Sequence, residues 1–400
     1  MILACEPVCR GFEHAAVNAA MLAVFADAFP DDEVVFYADE SHVAFVAAEP
    51  LLRSRNRIKF AGLTVPPRKA IGAERFACEF KTVQDMFEIA ERSGAATVLY
   101  TCISDETLRA IKMQTGKSPG VRCVVVLHGI LASLLQHRFF FSPKNRHAFR
   151  TWFLRGNSQQ VTYIVLGESI RRELLARFPN VEPYIASIDL PYDYADEAEH
   201  VPFRDGTVRF GALGVLRKAK GSHLFLQLAK EVTSMATAYR SRFVCVGPVV
   251  DKKLRKHLGE AVSVPSPDTP LTKEEFASHA RQLDYAVFLH GAKAYTLTAS
   301  GVMFDAFSHL KPVIALKSPF ITGYFEKMGN IGYLCDSFAD IKQLVLRLLD
   351  HPPVAEYAEQ RQALLRGREL LQIPVLAAAL RKQLPRSPNT DRWQSMEEGQ

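Results

Sequence analysis

Continuous apolar runs of strand length, each followed by a helical pattern, constrain this chain more than any other feature. AATVLYTCI (Ala95 to Ile103), RCVVVLHGI (Arg122 to Ile130) and VTYIVLG (Val161 to Gly167) show no polar alternation. Such runs fit strands buried on both faces, as in a parallel sheet covered by helices. MILACEP and DEVVFYAD add earlier strands, with the Ala-rich HAAVNAAMLAVFADAF as a helix between them. The stretch around PYDYADEAEHVPFRDG (Pro191 to Gly206) is acidic and irregular and reads as a linker. The alternation then restarts with VRFGALGVL, HLFLQLAKEV, RFVCVGPVV, YAVFLHG and PVIAL. A chain of 400 residues normally exceeds one hydrophobic core. The expected class is therefore α/β, with two successive doubly wound, Rossmann-like domains. Their expected bounds are 1–195 and 206–353, followed by closing helices over 354–385 and a disordered tail over 386–400.

Seven cysteines lie far apart in the sequence, several in apolar runs. An odd number without paired spacing predicts buried free thiols in a reducing compartment. Cys5 and Cys9 are too isolated for a zinc half-site, so no metal ligands are expected. The N-terminus has no basic leader before its apolar run, and no uncharged segment is long enough to span a bilayer. A cytoplasmic protein is expected. The net charge of +6 is unevenly spread, with no Asp or Glu from Thr107 to Gly167. Within that stretch, residues 137–156 mix basic and aromatic side chains, which suits an anionic membrane surface and a peripheral place at the inner membrane face. A solvated loop, or the edge of a cleft for an acidic small molecule, would look the same. No nucleic-acid-binding motif accompanies the charges, and no nucleic acid partner is expected.

Two segments carry phosphate-binding chemistry. In FGALGVLRKAKGSHLFLQLA a strand ends at a turn containing Gly214, Arg217, Lys218 and Lys220 follow, and Gly221 precedes a helix. Glycine lets backbone approach a ligand, a helix N-terminus favours anions, and cationic side chains donate to phosphate oxygens. A basic surface loop is the plain alternative. In YTLTASGVMFDAFSHLKPVIAL, small and hydroxyl residues enter a helix at Ser300 and Gly301. Ser300 can cap that helix or donate to an oxygen, and Gly301 removes a Cβ from the approach. Two such sites on loops after strands suit a diphosphate, although a simple helix cap accounts for the second. No Gly-x-Ser-x-Gly elbow, Walker loop or His-Glu-x-x-His element occurs.

GVLRKAKGSHLFLQLAKEV, FVCVGP, LDYAVFLHG and SGVMFDAFSHLKPVIAL, in that order, resemble the nucleotide-binding half of GT-B glycosyltransferases. The likeness is greatest to the large family 4 type group of sugar-nucleotide-dependent enzymes that retain anomeric configuration. The first half resembles them more loosely, through CRGFEHAAVNAAMLAVF, VVVLHGI and YIVLGESIRREL. The resemblance implies two Rossmann-like domains facing across a cleft and a nucleotide sugar as donor; no Asp-x-Asp pair occurs at a strand end, so no essential cofactor is expected. It implies a glycan or polyprenyl-linked acceptor, in polysaccharide or glycoconjugate synthesis. The family's phosphate-binding lysine falls on Lys220, and its ribose-binding acid on Asp305. Its partner arginine falls on Gly214, with Arg217 as the substitute, and its sugar-contacting glutamate falls on Leu297. A histidine matching His128 meets the donor sugar or the reacting centre in the family; here a histidine satisfied in its loop is equally consistent. On the acceptor side, Gly11 allows close approach, and Glu13 or His14 is placed to accept a proton. A Glu in a first helical turn also simply favours the dipole. A nucleotide-sugar epimerase of the same shape, or a non-catalytic membrane- or protein-binding relative, shares these features.

Overall fold

The computed structural model describes residues 1–67, 69–135, 148–195, 199–291 and 295–384. The chain forms two compact units. One comprises residues 1–193, 297–299 and 371–400, the other residues 194–296 and 300–370.

In the first unit the apolar runs become β1 (Ile2–Glu6), β2 (Val34–Ala38), β3 (Ile58–Gly62), β4 (Thr97–Tyr100), β5 (Arg122–Val126), β6 (Val161–Leu166) and β7 (Ile185–Ile188). They pair in parallel, in the order β3-β2-β1-β4-β5-β6-β7. The Ala-rich helix Ala15–Ala28 is buried along most of its circumference. An apolar helix of this kind needs cover on its outer side as well as from the sheet. The C-terminal helix Ile373–Gln383 supplies it, packing on Ala15–Ala28 and reaching β7. There the Gln383 amide accepts from Ser187 N at 2.9 Å and donates to Ser187 O at 2.8 Å.

The second unit holds β8 (Thr207–Leu213), β9 (Arg240–Val246), β10 (Val262–Ser263), β11 (Tyr285–Phe288), β12 (Val313–Leu316) and β13 (Gly332–Cys335). These too are parallel, in the order β10-β9-β8-β11-β12-β13. Phe210, Phe225, Phe243, Tyr285 and Tyr357 fill the core beside this sheet. Just before β11, buried Asp284 accepts from Arg209 N at 2.7 Å and Phe203 N at 3.2 Å, with His200 Nε2 at 3.1 Å. Lys311, also buried, donates to Arg281 O at 2.7 Å.

Each sheet reverses its winding once, between β1 and β4 in the first unit and between β8 and β11 in the second. Loops leaving the carboxyl ends of such a strand pair diverge to opposite faces and leave a crevice, the usual ligand site of a doubly wound sheet. The residues with chemistry gather at these two places.

Candidate functional site

In the second unit, the loop after β8 turns at Gly214, whose φ is +76°. A Cβ there would lie 2.5 Å from Val302 Cγ1, so glycine is what lets the turn pack on the helix that carries Val302, with Lys220 Nζ close by. Lys218–Lys220 forms a single 3₁₀ turn, and Gly221 (φ +71°) leads into helix Ser222–Thr233. Gly221 packs so tightly on the end of β11 that a Cβ would sit 2.1 Å from Leu289 O. Behind this loop, Ser222 Oγ accepts the Arg217 N–H at 3.1 Å. The resulting small, partly open pocket is lined by Gly214, Lys220, Gly221, His290 and Val302 among others.

Its electrostatics favour an anion. Burial lowers the Lys220 pKa, the positive charge of Arg217 lowers it further, and Asp305 partly restores it. Burial pushes His290 down to about 4, with the Lys220 charge adding to the effect, so its ring is neutral near pH 7. His290 Nδ1 is buried without a hydrogen-bond partner. Ser300 Oγ is buried without a well-formed hydrogen bond. The neighbouring Tyr295 phenol is pushed up by burial and drawn partly back by Ser300. Leaving such groups unsatisfied costs about 1–3 kcal/mol each, a cost that a bound oxygen would relieve.

Helix Gly301–Ser308 starts beside Ser300. Ser300 occupies the N-cap position, but its side chain makes no cap bond, so the expectation that it could cap this helix is not met. Gly301 is exposed, and no protein atom lies within 4 Å of where its Cβ would be. Packing therefore does not demand glycine there.

In the first unit, Gly11 (φ +56°) donates its N–H to Ser41 Oγ at 3.1 Å, and its carbonyl lies 2.7 Å from His42 Nδ1. Glu13 follows in the same turn, and His14 adopts a left-handed conformation (φ 54°, ψ 16°) at the start of helix Ala15–Ala28. The His14 ring stacks on that of His128, just beyond β5, at 4.4 Å between centroids and 16° between planes. Burial pushes His128 down to about 3, aided by His14, so it is neutral. The Cys102 sulfur, by its hydrogen bond, holds the His14 imidazole up. Cys9 and Cys102 interact with each other, which raises the first thiol and lowers the second.

The structure thus puts Gly214 and Lys220 in the lining of one pocket, with Arg217 and Asp305 acting on the Lys220 charge and Ser300 and Gly301 adjoining the lining residue Val302; in the first unit Glu13, His14 and His128 lie together, with Gly11 in the same loop. Lys218 is exposed on the first loop, and Leu297 is buried. Sequence reasoning passed over His290, although the LHG that ends β5 with His128 recurs at the end of β11. It also passed over Cys102 and Glu6, and it weighed Cys9 only with Cys5. Most of the basic-aromatic stretch, 136–147, lies outside the described residues, as does the tail from 385. No helix among the described residues is long and apolar enough to cross a membrane.

Two parallel Rossmann-like sheets of seven and six strands, each with its polar residues at the switch point, define the GT-B glycosyltransferase fold. Solved structures of that fold superpose on nearly the whole chain. The apo form of the lipopolysaccharide outer core galactosyltransferase WaaB is similar at 13% identity and a TM-score of 0.61, over 96% of this chain and 99% of that one. WaaG, a glycosyltransferase involved in lipopolysaccharide biosynthesis, is similar at 11% identity and a TM-score of 0.59, over 96% and 99%. HepE of Anabaena, in complex with UDP and glucose, is similar at 14% identity and a TM-score of 0.56, over 100% and 98%. No family model and no curated protein matches the sequence.

Proposed function

We propose that the protein transfers a sugar from a nucleoside diphosphate sugar to a glycan or lipid-linked acceptor. The single observation that carries this reading is the crevice between β8 and β11. There a partly buried lysine and the unpartnered Nδ1 of buried His290 line one small space, and the unobstructed helix start at Gly301 adjoins Val302 of the same lining. Lys220 and Arg217 supply positive charge to the diphosphate, and the N–H groups opening helix Gly301–Ser308 supply fixed dipoles. His290, neutral and with a bare Nδ1, either donates to a phosphate oxygen or accepts from a sugar hydroxyl, according to its tautomer. Asp305 holds the ribose. The same donors stabilise the nucleoside diphosphate as it leaves, when charge builds on its bridging oxygen. The first unit receives the acceptor through the group around Gly11, Glu13, His14 and His128.

UDP accompanies glucose in the HepE structure, which makes uridine the first base to try. A thermal-shift series across nucleoside diphosphates reads the base directly, because a ligand of the folded state raises its melting temperature. The expected result is one preferred nucleoside diphosphate, and donor turnover that collapses in Lys220→Ala. Full activity in that variant sinks the proposal. Conversion of the nucleotide sugar with no acceptor present would favour an epimerase, and binding without diphosphate release would favour a non-catalytic relative.

A further inference from the structure

We propose that Cys9, Cys102 and His14 bind a thiophilic transition-metal ion, Zn²⁺ by the chemistry of the donors, at the switch point of the first sheet. Cys9 and His14 lie in the loop after β1, and Cys102 in the loop after β4. Their two sulfurs and one ring nitrogen all fall within 4.8 Å of one another. A tetrahedral zinc site with metal–sulfur bonds of about 2.3 Å and metal–nitrogen bonds of about 2.0 Å needs donors roughly 3.5–3.8 Å apart. Closing onto an ion therefore asks for a contraction of no more than about 1.3 Å. Two sulfurs with one imidazole select zinc over the hard cations magnesium and calcium.

The surroundings hold these donors in place. Buried Glu6, at the end of β1, accepts from Cys9 N at 3.0 Å and Val8 N at 3.0 Å, which fixes the backbone carrying the first sulfur. Its other oxygen accepts from Thr101 Oγ1, next to Cys102, at 3.0 Å, and from Asn18 Nδ2 at 3.0 Å. One carboxylate therefore ties together the two loops that present the ligands. His14 is held in a left-handed conformation that costs a non-glycine residue on the order of 1–2 kcal/mol. That conformation sets its ring against Cys102, while the stacked His128 limits its rotation. Both cysteines are buried and His14 is exposed, so the fourth coordination position lies on the open side. Each thiol gives up its proton to solvent on binding. With His14 committed to the ion, Glu13 and His128 remain to meet the acceptor. The site stands whether or not the second unit binds a nucleotide sugar.

The test uses the full chain, reduced and freed of metal. Titration with Co²⁺ is expected to give thiolate-to-metal charge transfer saturating at one equivalent, with the ion displaced by Zn²⁺. X-ray absorption of the zinc-loaded wild type is expected to show two sulfur neighbours at about 2.3 Å and lighter neighbours at about 2.0–2.1 Å. Charge transfer is lost in Cys9→Ser and in Cys102→Ser, and kept in Cys335→Ser in the other unit. A zinc shell of nitrogen and oxygen alone, no binding at one equivalent, or undiminished charge transfer in both serine variants would overturn the assignment. So would recovery of a Cys9–Cys102 disulfide in place of bound metal after zinc loading under reducing conditions.

Discussion

Replacing Lys220 with alanine separates a ligand-binding role from a structural one, because the two move in opposite directions. In the free protein, burial and the Arg217 charge disfavour the ammonium, and only Asp305 favours it. The folded state thus carries this charge at a cost, and Lys220→Ala is expected to melt no lower than wild type. With a diphosphate bound, the same ammonium gains a unit of attraction worth up to about 4 kcal/mol at 4 Å and an effective dielectric of 20. Part of that is offset by water the phosphate gives up, and a charge-assisted hydrogen bond nets about 1.5–3 kcal/mol. The variant should therefore bind nucleoside diphosphate about 10- to 150-fold more weakly. Titration calorimetry with UDP, paired with a thermal scan of each free protein, measures both quantities. An unchanged melting temperature with a Kd within about a factor of three of wild type would refute the reasoning. The diphosphate would then have to be held elsewhere.

Four further outcomes test neighbouring features. Gly301→Ala meets no protein atom and gains helix propensity, so its stability should hold or rise by up to about 1 kcal/mol while diphosphate affinity falls about tenfold. Gly221→Ala combines positive φ with a 2.1 Å collision on Leu289 O, and a urea midpoint should show about 3 kcal/mol or more lost. Glu6→Gln turns an amide donor toward groups that already donate; a destabilisation of about 2–4 kcal/mol is expected by the same measurement. Burial pushes Lys311 down to about 7, below its unfolded value. Below about pH 7 both states hold the proton, and between about pH 7 and 10 only the unfolded chain binds it, so stability rises with pH across that window. Lys311→Met should flatten this rise in denaturation curves taken at each pH.

The sequence exposed the parts of the fold whose burial is complete. β4, β5 and β6 read directly because both faces are covered and their apolar runs are unbroken. β3, β7 and β13 are missed because they are half-exposed and their apolar runs are broken, and β10 has only two residues. The same division holds at the crevices. Gly214, Lys220, Ser300 and Gly301 could be singled out because small and basic residues mark phosphate-binding loops locally. His290 and the Cys9–His14–Cys102 group could not, since their meaning depends on which loops meet at a switch point. Glu6 looked like an ordinary acid after a strand, and only pairing of β1 with β4 puts it between Cys9 and Thr101.

The helix Ile373–Gln383 has a practical consequence for anyone dissecting this chain. It lies far along the chain from the helix it shields. A fragment ending near residue 193 would leave Ala15–Ala28 bare along one side and Ser187 without Gln383. Expressed alone, such a piece should be sticky and fold poorly, whereas fusing residues 371–384 to its end through a flexible tether should restore it.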